Sequence, residues 1–298
     1  MIDPPLTTAA PVRLAAPWPA LPETGPLLMG IVNVTPDSFS DGGQFETHAA
    51  AIAQARRLAA EGADILDIGG ESTRPGAAGV GLEEEISRVV PVIRALAADT
   101  GLPVISIDSY KAGTTREALA AGARIANDVW GLQREPALAD VAQAAGAGLC
   151  LMHNRDMKDP AIDIVEDMKT FFARSLAIAS RAGIPGERIV LDPGIGFGKT
   201  LEQNLAAIRG IPAIKAEFGH AVLLGVSRKS FLGLLTDRPV TERLPGTLAA
   251  GFYGLLAGAD ILRVHDVAPH RDALRVLAAL AQDSRPPFPL SATPRSRA

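Results

Sequence analysis

The chain has 298 residues, is 47% hydrophobic and carries a formal net charge of −4, which supplies one large core or two modest ones and speaks against the broad basic footprint that nucleic acid requires. Its single cysteine, Cys150, lies in the apolar run GAGLCLMH and reads as a small buried hydrophobe. With no second thiol for an intrachain disulfide, a reducing cytoplasm is the expected compartment.

In chain order, residues 1–26 read as an irregular, proline-rich arm, without the charged start and unbroken apolar run of an export signal. From residue 27 one pattern repeats: a short β-branched run, a polar or glycine loop, then an alanine- and leucine-rich amphipathic stretch. Strands are predicted at 27–32, 64–68, 104–107, 124–126, 148–152, 189–191, 221–225 and 261–264. Helices are predicted at 49–61, 82–98, 114–121, 136–145, 164–182, 201–207, 247–256 and 268–281. The apolar segment 247–259 is too short to span a bilayer, so no membrane role is expected. Eight strands each followed by a helix predict a single α/β domain, a (β/α)8 TIM barrel over residues 27–283, and the proline-rich, basic segment 284–298 reads as a disordered tail.

In such a barrel the site lies at the C-terminal ends of the strands, and here every strand end is polar. The first leads to Asn33, and the second to Glu71, Thr73 and Arg74. The third leads to Asp108 and Lys111, the fourth to Asn127 and Asp128, and the fifth to His153 and Asn154. The sixth ends at Asp192, the seventh at Arg228 and Lys229, and the eighth at Arg263 and His265. One such aspartate alone is more readily a helix cap or a loop ion pair. Converging on one face, they make a mouth that reads a polar heterocycle and holds an anion, with Arg74, Arg228, Lys229, Arg263 and His265 as its cations.

The segment LDPGIGFGKT, residues 191–200, ends like a phosphate-cradling P-loop. That pattern needs glycine where Pro193 stands, and proline has a fixed φ and no N–H to donate. Nucleotide hydrolysis is therefore excluded. The glycines are expected to let the backbone pass close to a flat ligand, with Phe197 offering it an aromatic edge.

The segments MGIVNVTPDSFSDGG (29–43), DIGGESTRPG (67–76), SIDSYK (106–111), NDVWG (127–131), LMH (151–153), LDPGIGFGKT, GVSRKSF (225–231) and RVHDV (263–267) run in order across nearly the whole chain. Together they resemble the dihydropteroate synthase family. The resemblance implies a barrel that uses magnesium to join 6-hydroxymethyl-7,8-dihydropterin diphosphate to 4-aminobenzoate by dissociative displacement. By motif, it assigns the pterin to Asp108, Asn127, Met152, Asp192, Lys229 and Arg263, with Asp108, Lys229, Arg263 and His265 as the catalytic set. The diphosphate falls to Asn33, Thr73, Arg74, Arg263 and His265, with Asn33 also the metal ligand. Aminobenzoate falls to Thr73, Pro75, Phe197, Lys229 and Ser230, and the loops 37–43 and 73–79 are expected to close over the site. The family's habit implies a homodimer formed through C-terminal helices such as 247–256. Ser109 and Asn154 depart from the residues common in the family without touching these roles. Two other readings share the pterin-binding residues: a methyltetrahydrofolate:corrinoid methyltransferase, which handles no diphosphate, and a non-catalytic pterin-binding paralogue. Retention of Arg74, Lys229, Arg263 and His265 favours the synthase.

Overall fold

The computed structural model describes residues 14–22, 25–34, 43–72 and 79–281. Eight parallel strands close into a barrel in chain order, β1 (Leu27–Asn33), β2 (Ile65–Gly69), β3 (Val104–Asp108), β4 (Ile125–Asp128), β5 (Gly148–Met152), β6 (Ile189–Asp192), β7 (Ala221–Leu224) and β8 (Ile261–Val264), with β8 returning to β1. Each strand is buried on both faces, which is why the sequence shows near-continuous apolar runs rather than alternation. The helices between them are α1 (Gly43–Ala60), α2 (Leu82–Ala97), α3 (Ala112–Ala121), α4 (Ala137–Ala144), α5 (Ile164–Arg181), α6 (Leu201–Arg209), α7 (Ile211–Phe218), α8 (Ser230–Thr236), α9 (Leu244–Leu256) and α10 (Val267–Ala281). The predicted TIM barrel is the observed one.

Alternate strand residues separate two cores, as a period of two requires. Leu28, Val32, Leu66, Ile68, Leu149, Leu151 and Leu191 face outward and pack under the helices. Leu27, Met29, Ile65, Ile125, Cys150, Val190, Leu223 and Ile261 face inward and fill the lower barrel. Residues 14–22 contribute to this inner core. Trp18 is buried there, its indole Nε1 donates to the Arg188 carbonyl at 2.8 Å, and it lies so close to Gly148 that a Cβ there would come within 2.6 Å of Nε1. The N-terminal end of the barrel is thereby plugged.

Differences from the predicted elements concentrate at the other end. β1, β3, β4 and β6 extend to include Asn33, Asp108, Asn127 with Asp128, and Asp192, so these polar groups are held on strands and not on loops. Two helices go unpredicted. α7 is split from α6 by Gly210 and restarts with a proline in its first turn, and α8 has only seven residues. A proline in the first turn also lets α9 start at Leu244.

Candidate active site

The site is built on a register row. Asn33 pairs with Gly69, Gly69 with Asp108 and Asp108 with Asn127 along β1 to β4, while Met152 pairs with Asp192 across β5 and β6. Since parallel neighbours in register project the same way, one turn of the barrel rim presents an amide, two carboxylates, a second amide and a thioether together. From β8, Arg263 reaches across the barrel. Its Nε donates to Asp67 Oδ2 at 2.6 Å and its Nη2 to Asp108 Oδ2 at 2.6 Å. The same Asp67 oxygen accepts from Asn127 Nδ2 at 3.0 Å, whereas Asp67 Oδ1 is buried with no hydrogen-bond partner among the described residues.

Opposite this pair, Asp192 Oδ1 accepts the Gly194 N–H at 2.7 Å. Lys229, the residue preceding α8, donates from Nζ to the Ile195 carbonyl and sits 4.8 Å above the Phe197 ring. Gly225 leaves the space between them open. A Cβ there would lie 3.8 Å from Lys229 Nζ, 3.8 Å from Arg263 Cβ and 3.9 Å from Asp192 Oδ2.

Crowding charge into a dry mouth shifts its ionisation. Burial pushes the Asp108 carboxyl up to about 7, with Arg263 opposing and the Asp67 and Glu85 carboxylates adding to the rise. Burial also raises Asp192, against the pull of Lys229. Lys229 falls to about 8 because burial disfavours its charge, although Asp192 opposes the shift. Burial likewise disfavours the Arg263 cation, but Asp67 and Asp108 outweigh it and push its pKa up, so the guanidinium stays charged. The mouth thus holds a permanent cation beside carboxylates and an ammonium poised near neutrality.

Several other predicted residues are located. Met152 is buried, Asn33 and Ser230 are exposed, and Phe197 is half-buried beneath Lys229. The His265 ring shares a hydrogen with Ser227 Oγ at 2.9 Å, and its backbone N–H donates to the same oxygen. Thr73, Arg74 and Pro75, with most of the two predicted lid loops, lie outside the described residues. Arg228 is a correction: as a member of the anion set it should face the mouth, yet its guanidinium is engaged with the Asp266 carboxylate through Nε and Nη2. Lys111 is likewise held between Glu71 and Glu85.

The role given to the glycines of GIGFGK changes as well. Gly194, Gly196 and Gly198 all have positive φ, at 63°, 88° and 57°. A Cβ on Gly194 would overlap the His153 carbonyl, and one on Gly198 would overlap that of Arg155. These two glycines therefore let the loop lie against the chain after β5, not against a ligand. Gly196 faces inward, where a Cβ would stand 3.3 Å from Lys229 Cδ.

A family model described as pterin binding enzyme matches residues 29–265. The chain belongs to the pterin-binding enzyme family. It is 48% identical over 253 residues to the dihydropteroate synthase of Clostridium beijerinckii, covering 84% of this chain and 92% of that one. With the dihydropteroate synthase of Bacillus subtilis it shares 47% identity over 241 residues, 81% of this chain and 84% of the relative. Among solved structures, a dihydropteroate synthase from Clostridium difficile in the presence of pteroic acid superposes with a TM-score of 0.81 at 45% identity, over 86% of this chain and 97% of that one. The Xanthomonas albilineans dihydropteroate synthase with 4-aminobenzoic acid gives 0.81 at 46% identity, over 86% and 93%.

In this pterin-binding enzyme, reading strand ends missed Asp67. It stands in the middle of β2 and not at its end, and the available signal was a lone carboxylate in a strand otherwise apolar up to its final glycine. Lys199 and Asp167 were missed for a different reason. Their partners are remote in sequence, and only the folded chain brings them together.

Proposed function

We infer that this pterin-binding enzyme is a transferase catalysing the dihydropteroate synthase reaction, in which 6-hydroxymethyl-7,8-dihydropterin diphosphate and 4-aminobenzoate give 7,8-dihydropteroate and diphosphate. One observation carries the assignment of roles: a single mouth holds carboxylates for the donor-rich edge of a pterin together with Arg263 and Lys229 for an anion. Asp192 accepts from the pterin's amino group and ring N–H, a two-bond geometry suited to a carboxylate, and Asn127 and Lys229 complete recognition of the ring over buried Met152. Arg263 stacks on the pterin and turns its remaining N–H groups to the diphosphate, joined there by Asn33, His265 and the two residues Thr73 and Arg74.

The C–O bond to diphosphate breaks first, and its electron pair leaves with the diphosphate. The resulting pterin-methyl cation is stabilised by the ionised Asp108 carboxylate, and the lone pair of the aminobenzoate nitrogen closes the new C–N bond, with one proton lost from that nitrogen. An arylamine attacking a cation needs no side chain to deprotonate it beforehand. Phe197, Lys229, Ser230, Thr73 and Pro75 frame the aminobenzoate. Among the described residues no three His, Cys, Asp or Glu side chains gather as a metal cage. Magnesium fits such a mouth all the same, because it binds through substrate phosphates plus few protein oxygens, and the exposed Asn33 amide at the end of β1 provides one. When bound it would neutralise charge on the departing diphosphate.

A homodimer is supported by the exposed apolar side chains on the C-terminal helices, namely Leu234 and Leu235 on α8, Tyr253 and Leu256 on α9, and Val276 and Leu280 on α10. Sedimentation at micromolar concentration tests it, and a monomer would overturn it. A cytoplasmic site of action is supported by the single, buried Cys150. No helix among the described residues is long and apolar enough to cross a membrane.

The displacement is tested by a secondary isotope effect. Single turnovers with the pterin methylene dideuterated should run slower than with the protium compound, because that carbon becomes trigonal in the transition state. An inverse or absent effect would refute early C–O cleavage.

A further inference from the structure

Lys199 is 2% exposed, and no role described above uses it. An ammonium has three N–H donors, and here each has an acceptor: His153 Nδ1 at 2.8 Å, the Gly194 carbonyl at 2.7 Å and the Phe197 carbonyl at 3.2 Å. With Nδ1 accepting from Lys199 Nζ, the imidazole proton lies on Nε2, 2.9 Å from the Asp167 Oδ2 that accepts it. The result is a chain of carboxylate, neutral imidazole and Lys199 amine running from the half-buried face of α5 into the β6 loop, with burial lowering the Lys199 pKa to about 7 against the pull of Asp192. Arg155 holds the same Asp167 oxygen at 2.8 Å. Burial keeps His153 neutral, its pKa lowered to about 4, while the His153 hydrogen bond is the leading cause that lowers Asp167 to about 2.

The loop needs such an anchor. Three of its residues are glycines at positive φ, the residue type that loses most conformational freedom on ordering. Lys199 gathers the carbonyls at both ends of its central turn, which is closed by the Phe197 N–H donating to the Gly194 carbonyl at 3.2 Å. Asn204 braces the middle, where its Oδ1 accepts the Gly196 N–H at 2.6 Å. The part of the loop turned toward the mouth carries two groups: the Ile195 carbonyl that receives Lys229, and the Phe197 ring beneath the same ammonium.

We propose that Lys199, anchored through His153 to Asp167, is a positioning residue for the aminobenzoate side of the site, holding the 194–198 turn so that Phe197 and the Ile195 carbonyl meet Lys229. The proposal rests on the functional reading above. On the pterin side Arg263 is held by Asp67 and Asp108, away from the turn, whereas Asp192 meets it only through the Gly194 N–H at its first residue, so the pterin side depends on this anchor less.

The test uses the full-length protein. In Lys199→Met, KM for 4-aminobenzoate should rise about 10-fold and KM for the pterin diphosphate by no more than about 3-fold, since Phe197 serves the first ligand alone while Lys229 and Asp192 touch the turn at single contacts. Asp167, which is partly exposed, allows a milder perturbation should the Met variant fold poorly. Asp167→Ala should shift the aminobenzoate KM in the same direction, and Asp167→Asn, which keeps an oxygen facing His153, should restore most of it. Amide hydrogen exchange across residues 194–200 should also speed up in Lys199→Met and Asp167→Ala, with the barrel strands unchanged. Parallel changes in both KM values, or aminobenzoate KM and loop exchange both at wild-type values, would overturn the proposal. A wild-type protein that releases no diphosphate would instead refute the functional reading, and hydrogen exchange would still decide whether Lys199 anchors the turn.

Discussion

Removing the Asp67 carboxylate should disable the mouth although that group lies below the rim. In Asp67→Ala, Arg263 Nε and Asn127 Nδ2 lose their common acceptor, which they reach at 2.6 and 3.0 Å. The first bond is charge-assisted and contributes about 1.5–3 kcal/mol, and the second about 0.5–1.5 kcal/mol. Arg263 keeps Asp108, so a loss in the lower part of the combined range, about 2–3 kcal/mol, is expected. If that loss falls on the transition state it lowers kcat/KM for the pterin diphosphate about 30- to 150-fold, at 1.36 kcal/mol per decade. If it falls on the fold it lowers Tm by about 3–6 °C. Asp67→Asn keeps an oxygen for both donors, its amide taking the place of the unpartnered Oδ1, and should recover at least half of the loss. Asp67 also raises the pKa of Asp108, so both variants should move the acid limb of the kcat/KM profile to lower pH. Calorimetric melting and diphosphate-release kinetics measure these effects. An Asp67→Ala protein with wild-type Tm and wild-type kcat/KM would refute the reasoning.

Three further outcomes are expected. Asp192→Ala strands the pterin's donors in a buried site and should weaken binding of 6-hydroxymethylpterin about 10- to 100-fold by titration calorimetry, and unchanged affinity would remove Asp192 from the pterin site. Asp108 acts as an anion and titrates at about 7, so activity should rise as pH passes that value; Lys229 acts as a cation and titrates at about 8, so activity should fall above it. The kcat/KM profile should therefore be a narrow bell whose acid limb is missing in Asp108→Asn, and a flat profile from pH 6 to 9 would contradict both roles. Trp18→Ala opens a cavity at the closed end of the barrel and should cost about 3–5 kcal/mol in stability with both KM values unchanged, whereas a wild-type Tm would show that the plug is dispensable.

Much of this was legible in the sequence for one physical reason. A barrel strand buried on both faces reads as an apolar run, so the polar residue at or next to its end stands out, and Asp108, Asn127, Asp192 and Arg263 were each read that way. Asp67 escaped because it interrupts a strand instead of ending it, and its value lies in Arg263, 196 positions away. Arg228 misled for the converse reason: it looks like its neighbour Lys229, and only folding brings Asp266 against it. The glycines of GIGFGK announced an unusual backbone, but the neighbour that demands it, the His153 carbonyl, belongs to a different strand's loop. Helices α7 and α8 are too short to show a period, and Trp18 sits in a stretch whose prolines and alanines carry no repeat at all.

The central claim is that this mouth exchanges diphosphate for an arylamine on a pterin. Its most direct test is diphosphate release by the purified full-length protein, with magnesium and both substrates present and with each omitted in turn. One diphosphate released per 7,8-dihydropteroate formed, with no dihydropteroate when either substrate is missing, is the expected result. No diphosphate and no dihydropteroate from folded protein with both substrates bound would contradict the account.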